Sequence, residues 1–140
     1  MPPLRETPRM ILVADDDAAI RELVSTRLTL AGYTVLTARD GREAVSLVLE
    51  RRYDGLVLDL NMPELDGFGV LERLRGMGRF RPPTLVLTAR HDAADVEAAV
   101  RLGARDYLAK PFDDRQLLMR VARLFRVVEV AASESVLLSA

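Results

Sequence analysis

Cysteine is absent from this 140-residue chain, which excludes a disulfide framework, a thiolate zinc site and a thiol nucleophile. That absence suits a reducing cytoplasm. Long apolar runs are also missing: none reaches the roughly 18 residues a membrane span needs, and residues 1–9, with three prolines, hold no signal-peptide core. The expectation is a cytoplasmic protein with no membrane partner. Nor is there an excess of charge, because 20 basic against 21 acidic residues leave a net −1 and no bulk attraction to nucleic acid. Lysine is nearly absent: every basic residue is arginine except Lys110, just before a proline. A chain that uses arginine everywhere else points to a site at Lys110 that requires an ammonium.

What is present is a regular alternation. The stretch Met10–Ala14 is a continuous apolar run ending in Asp15, Asp16 and Asp17, and reads as a buried strand. Ile20, Leu23, Val24, Leu28 and Ala31 follow helical spacing, with Gly32 as the stop. Residues 33–38 form a second strand, and Ala44, Val45, Val48 and Leu49 the inward stripe of a helix opened by Asp40 and Glu43. Residues 55–60 give a third strand, followed by a helix from Asp66 and Gly67 with Phe68, Val70, Leu71 and Leu74 inward and fading at Gly76 and Gly78. Residues 79–83 read as a basic, proline-containing connection. A fourth strand covers 84–88, and its helix carries Val96, Ala99, Val100 and Leu102 on one face, closed by Gly103. The fifth strand, 106–109, runs into Lys110, and Asp113 with Gln116 opens a last helix on Leu117, Leu118, Val121, Leu124, Phe125 and Val128.

Five strands alternating with five helices argue an α/β fold with a parallel sheet covered on both faces. The expected domain covers 9–126, with 1–8 a flexible leader and 127–140 an extension of the last helix or a flexible tail too short to hold an effector domain. In such a sheet, ligands gather beyond the carboxyl ends of the strands. There the pattern places Asp15, Asp16, Asp59, Thr88 and Lys110.

Carboxylates gathered this closely raise one another's pKa unless a cation neutralises them, and a hard divalent ion such as Mg2+ suits an all-oxygen donor set. With the Thr88 hydroxyl and the Lys110 ammonium added, the group can hold a phosphoryl dianion, and Asp59, ending the central buried strand, is the acceptor of choice. Each residue has a plainer reading alone. Asp15 or Asp17 could cap the first helix, Asp59 could be a turn residue, Thr88 could reflect β-propensity, and Lys110 could be a solvated charge. Their joint occurrence at four strand ends outweighs these readings. His91 stands at a loop-to-helix junction beside Asp92 with no helical bundle around it, and reads as an ordinary surface residue instead of a relay histidine.

On these residues the chain resembles the receiver domain of two-component response regulators, the CheY-like family, over about 9–126. The motifs are Leu-Val-Ala-Asp-Asp-Asp, Leu-Asp-Leu-Asn-Met-Pro-Glu-Leu-Asp-Gly, Leu-Thr-Ala, and Gly-Ala-Arg-Asp-Tyr-Leu-Ala-Lys-Pro-Phe. The resemblance implies a doubly wound, flavodoxin-like sheet of order 2-1-3-4-5. It implies phosphoryl transfer to Asp59 from a sensor histidine kinase or phosphotransfer protein, with Mg2+ on Asp16, Asp59 and the Asn61 carbonyl, and Asp15 acting through water. Lys110 would pair with phosphoryl oxygens, Thr88 would swing toward them and Tyr107 would turn inward behind it. It further implies a cis bond between Lys110 and Pro111, and a tuning of phosphoryl loss by Asn61 and Arg90. Such a chain is a signalling switch that assists its own phosphorylation and dephosphorylation, not a turnover enzyme.

A homodimer through the fourth helix, fifth strand and fifth helix is the implied association. Asp106 and Arg120 fit its charged pairs, whereas Arg105 and Gln116 stand where acids are usual; the apolar 136–138 stretch offers another contact. Two other readings compete: a phosphate-independent adaptor, and a phosphatase with an aspartyl nucleophile. The second wants an aspartate two residues after the nucleophile, where this chain has Asn61.

Overall fold

A computed structural model describes residues 7–89 and 93–139, with side chains described up to Arg126. Arg90, His91, Val128, the apolar 136–138 stretch and the side chains of the tail, all named above, lie outside the described residues or side chains, as does most of the 1–8 leader.

Five strands, β1 (Met10–Ala14), β2 (Thr34–Ala38), β3 (Gly55–Asp59), β4 (Thr84–Thr88) and β5 (Asp106–Ala109), pair in parallel in the order β2-β1-β3-β4-β5. The register aligns Leu12 with both Leu36 and Leu56, Asp59 with Leu87, and Thr88 with Ala109. Every residue of β3 and β4 is buried, as a strand covered on both faces requires, while β2 at the edge is half open.

Alternation along the strands divides the core in two. Ile11, Val13 and Val57 pack with Leu117 and Val121 of α5 (Asp114–Ser139) and with Val24 and Leu28 of α1 (Ala18–Leu30). Leu12, Leu56 and Leu58 pack on the other face with Ala44 and Val48 of α2 (Gly41–Glu50), Val70 and Leu71 of α3 (Gly67–Leu74), and Ala99 of α4 (Ala93–Arg101).

The helix boundaries follow from local chemistry. The Asp17 carboxylate accepts the Ala19 and Ile20 N–H groups, the Asp40 carboxylate that of Glu43, and the Asp66 carboxylate that of Gly69. Asp113 and Gln116 form a reciprocal box, each side chain accepting the other's backbone N–H. Gly32, at φ 102°, ends α1, and Tyr33 donates back to the Leu28 carbonyl at 3.1 Å.

Three details differ from the pattern read along the chain. Leu49 is 65% exposed and Val100 52% exposed, while Leu47 packs against the core in place of Leu49. Both α2 and α4 carry more apolar residues than one face can bury, so spacing alone does not fix which row faces the sheet. After α3 the chain forms a 3₁₀ segment over Arg75–Phe80, bent at Gly78, where a plain connection from Arg79 was expected.

Candidate functional site

β1 leaves the middle of the sheet toward β2 on one side while β3 lies on the other, so the carboxyl ends of β1 and β3 flank the crevice where the strand order reverses. Asp59 ends β3 with 2% exposure, and Asp15, following β1, is fully buried. Asp16 beside it is exposed. Carboxylate oxygens of Asp15, Asp16 and Asp59 all lie within 4.8 Å of one another.

Lys110 is brought to this crevice by the carboxyl end of β5, where its backbone N–H donates to the Thr88 carbonyl at 2.8 Å. Its ammonium donates to Asp15 Oδ2 at 3.0 Å and stands 3.4 Å from Asp59 Oδ1. Only 18% of that side chain is exposed, so the pair is far less screened than a surface ion pair. The bond between Lys110 and Pro111 is cis. Thr88 is buried at the end of β4, one residue beyond Leu87, the register partner of Asp59.

The electrostatics of the pocket are set by this crowding. Burial first, and then the negative charge of Asp15, push the Asp59 carboxyl up from 3.8 to about 6, although Lys110 and the Asn61 N–H pull the other way. Burial by itself would lower the Lys110 ammonium, but the carboxylates of Asp15 and Asp59 outweigh it and its pKa is raised. The site thus holds the Lys110 charge firmly and the Asp59 carboxylate less comfortably. An all-oxygen donor set short of positive charge fits a hard divalent cation.

The loop after β3 is built around the same carboxylate. Asn61 N–H donates to Asp59 Oδ1 at 3.2 Å, and Gly67 N–H donates to the Leu60 carbonyl at 3.0 Å. A side chain at Gly67 has no room: a Cβ there would stand 2.6 Å from the Asp59 carbonyl oxygen. Arg21 was not visible as a site residue in the sequence, yet its guanidinium donates to the Asp15 carbonyl at 2.8 Å and fixes the turn that carries Asp15 and Asp16. One arginine among many in the chain, six positions along, gives no sequence signal for that contact. Asp17, by contrast, is an ordinary helix cap.

Tyr107 stands apart from the crevice. It is 41% exposed, with the Arg120 guanidinium 5.8 Å from its ring centroid. Arg120 also donates to Asp106 at 2.8 Å, and Arg123 lies 3.8 Å from the same carboxylate. The acid and base expected to pair between copies therefore pair here within one chain.

Fold and site together define a flavodoxin-like α/β module with an acidic, lysine-bearing crevice at its topological switch point. The chain matches the family model for the response regulator receiver domain over residues 11–122, and it belongs to that family. It is 47% identical over 119 residues to the response regulator MprA of Mycolicibacterium vanbaalenii, covering 85% of this chain and 51% of the relative. It is 41% identical over 130 residues to a probable transcriptional regulator, ycf27, of Guillardia theta, covering 93% of this chain and 50% of that one. The chain thus spans about half the length of these relatives. Among solved structures, the chemotaxis response regulator CheY4 of Vibrio cholerae superposes with a TM-score of 0.80 at 35% identity, covering 84% of this chain and 99% of that one. No helix among the described residues is long and apolar enough to cross a membrane.

Proposed function

We propose that this receiver domain, with a working unit over residues 9–126, is a switch thrown by phosphorylation of Asp59. A carboxylate oxygen of Asp59 attacks phosphorus on a histidine kinase or phosphotransfer protein. The P–N bond breaks with its electrons passing to the ring nitrogen, and an acyl phosphate forms. The observation that carries this reading is the 3.4 Å approach of Lys110 Nζ to Asp59 Oδ1, at a carboxylate otherwise buried beside Asp15. The ammonium orients the acceptor oxygen and neutralises charge that builds on the incoming phosphoryl oxygens.

Asp15, Asp16 and Asp59, with the Asn61 carbonyl, are the groups that would hold Mg2+. When bound, the ion supplies the remaining positive charge that a phosphoryl dianion needs among three acids. Thr88 and Tyr107 serve as the switch pair, and the surface of α4, β5 and α5 is the output, including association with a second copy. Moving such an equilibrium from mostly inactive to mostly active requires roughly 5 kcal/mol of differential interaction with the phosphorylated site. Asn61 carries no carboxyl for acid–base work two residues after the acceptor, which favours storage of the phosphoryl group over turnover of small phosphomonoesters.

The test is intact mass after incubation with acetyl phosphate and magnesium. Wild type gains one phosphoryl group and Asp59→Asn gains none. Equal labelling of both, or none of either, overturns the assignment.

A further inference from the structure

At the opposite pole, where the strands begin, four separate segments leading into strands bring Arg9, Arg52, Arg79, Arg81 and Arg105 around one cavity of about 370 Å³, with Asp54 the single acid in its wall. Five arginines against one aspartate is a steep local excess for a chain of net charge −1, with the Arg9 guanidinium 4.4 Å from the Phe125 ring centroid and that of Arg79 5.0 Å from the Phe80 centroid. The Asp54 carboxylate is already engaged, accepting the Met10 N–H at 2.8 Å. Arg81 is fixed in place by donating to the Leu102 carbonyl at 2.9 Å. Among the described residues, no carboxylate pairs with Arg52, Arg79 or Arg105, whereas Arg27, Arg39, Arg42, Arg75, Arg101, Arg120 and Arg123 all have acidic partners.

Arg52, Arg79 and Arg105 are exposed, and like charges gathered at one face without carboxylate partners raise the local potential that draws an anion. Guanidinium groups take phosphate oxygens in bidentate fashion, so arginines from several segments lining one cavity suit an anion with more than one phosphate. The volume is that of a small-ligand pocket. Aromatic groups are present as well: Phe80, 56% exposed, and Tyr53, whose hydroxyl is buried without a hydrogen-bond partner, are both in the wall.

We propose that this cavity binds the polyphosphate group of a small anion, at a site separate from the acceptor crevice by the length of a strand, roughly 15 Å. The polyphosphate is either free or carried by a nucleotide, in which case the base stacks on the face of Phe80 that the Arg79 guanidinium, 5.0 Å from the ring centroid, leaves open.

Calorimetric titration of the full chain without magnesium, at matched ionic strength, tests this with inorganic tripolyphosphate, ATP and sulfate. Tripolyphosphate is expected to bind at least tenfold more tightly than sulfate, and Arg79→Glu with Arg105→Glu to weaken it about tenfold or more. ATP binding more tightly than tripolyphosphate identifies the nucleotide as the source; the reverse identifies free polyphosphate. Circular dichroism checks that the double variant is folded, and the single exposed change Arg52→Gln provides a milder second reading. Tripolyphosphate binding no tighter than sulfate overturns the proposal. So does binding unchanged in the arginine variants, or a hexaglutamate peptide that binds more tightly than tripolyphosphate.

Discussion

Lys110 and Asp15 are joined by a 3.0 Å charge-assisted hydrogen bond across 95 positions of sequence, and this bond ties the carboxyl end of β5 to that of β1. Asp15 is fully buried, so removing the ammonium strands a carboxylate with little water to replace it. Lys110→Met is expected to lower stability by about 3 kcal/mol, the usual cost of breaking one side of a buried pair. Lys110→Arg keeps the charge but spreads it over a planar fork that cannot sit as a point between two carboxylates. It is expected to retain most of the stability and lose most of the phosphoryl uptake. Urea unfolding and intact mass separate the two effects, and an arginine variant with wild-type uptake would show that geometry at Lys110 is unimportant.

The raised Asp59 carboxyl makes stability depend on pH. Its pKa rises from 3.8 to about 6 in the folded protein, first because of burial and then because of Asp15. A carboxyl that holds its proton more tightly when folded contributes stability that is fully present below about pH 4 and is lost as the pH climbs through about 6. Asp59→Asn cannot ionise and escapes that loss. Without divalent cations it is expected to be more stable than wild type at pH 7.5, by about 1–3 kcal/mol, with the gap closing toward pH 4. Thermal unfolding across that range measures it, and a variant less stable than wild type at pH 7.5 contradicts the sign.

The sheet and the crevice were legible from the chain for one physical reason. Short, fully buried strands such as Leu85–Leu87 and Leu56–Leu58 read as unbroken apolar runs, and the polar residue that ends each one marks the site. Asp15, Asp59, Thr88 and Lys110 each end or follow such a run, so placing the strands placed the residues together. Helix faces were less legible. Leu49 and Val100 satisfy helical spacing yet point to solvent, because the sheet is covered before every apolar residue is used. Of the arginine pole only the basic stretch 79–83 could be read: Arg9 leads into β1, Arg52 and Arg105 precede β3 and β5, and their placement around one cavity is a property of topology.

Magnesium should act as a stabiliser through the same acids. An ion that binds the folded site and not the unfolded chain raises stability by about 2.7 kcal/mol at a hundred times its dissociation constant. Asp16 is exposed and adds a carboxylate oxygen to the cluster without supporting the core. Asp16→Ala is therefore expected to unfold at the wild-type midpoint in chelator and to gain little from saturating magnesium. An equal gain in both proteins would remove Asp16 from the proposed ion site.

Gly67 ties the end of β3 to the loop above it through backbone proximity. A Cβ at this position would stand 2.6 Å from the Asp59 carbonyl oxygen and 2.7 Å from Leu60 Cα, and neither backbone atom can turn aside as a side chain would. Gly67→Ala must then displace the end of β3 or the start of α3, at a cost of about 2 kcal/mol by the usual scale of overpacking. The strain falls on Asp59, the proposed acceptor, so slower phosphoryl uptake is expected together with the lost stability. Gly76, with nothing within 4 Å of an added Cβ, provides the control. If Gly67→Ala and Gly76→Ala match in both stability and uptake, the close packing at Gly67 does not position Asp59.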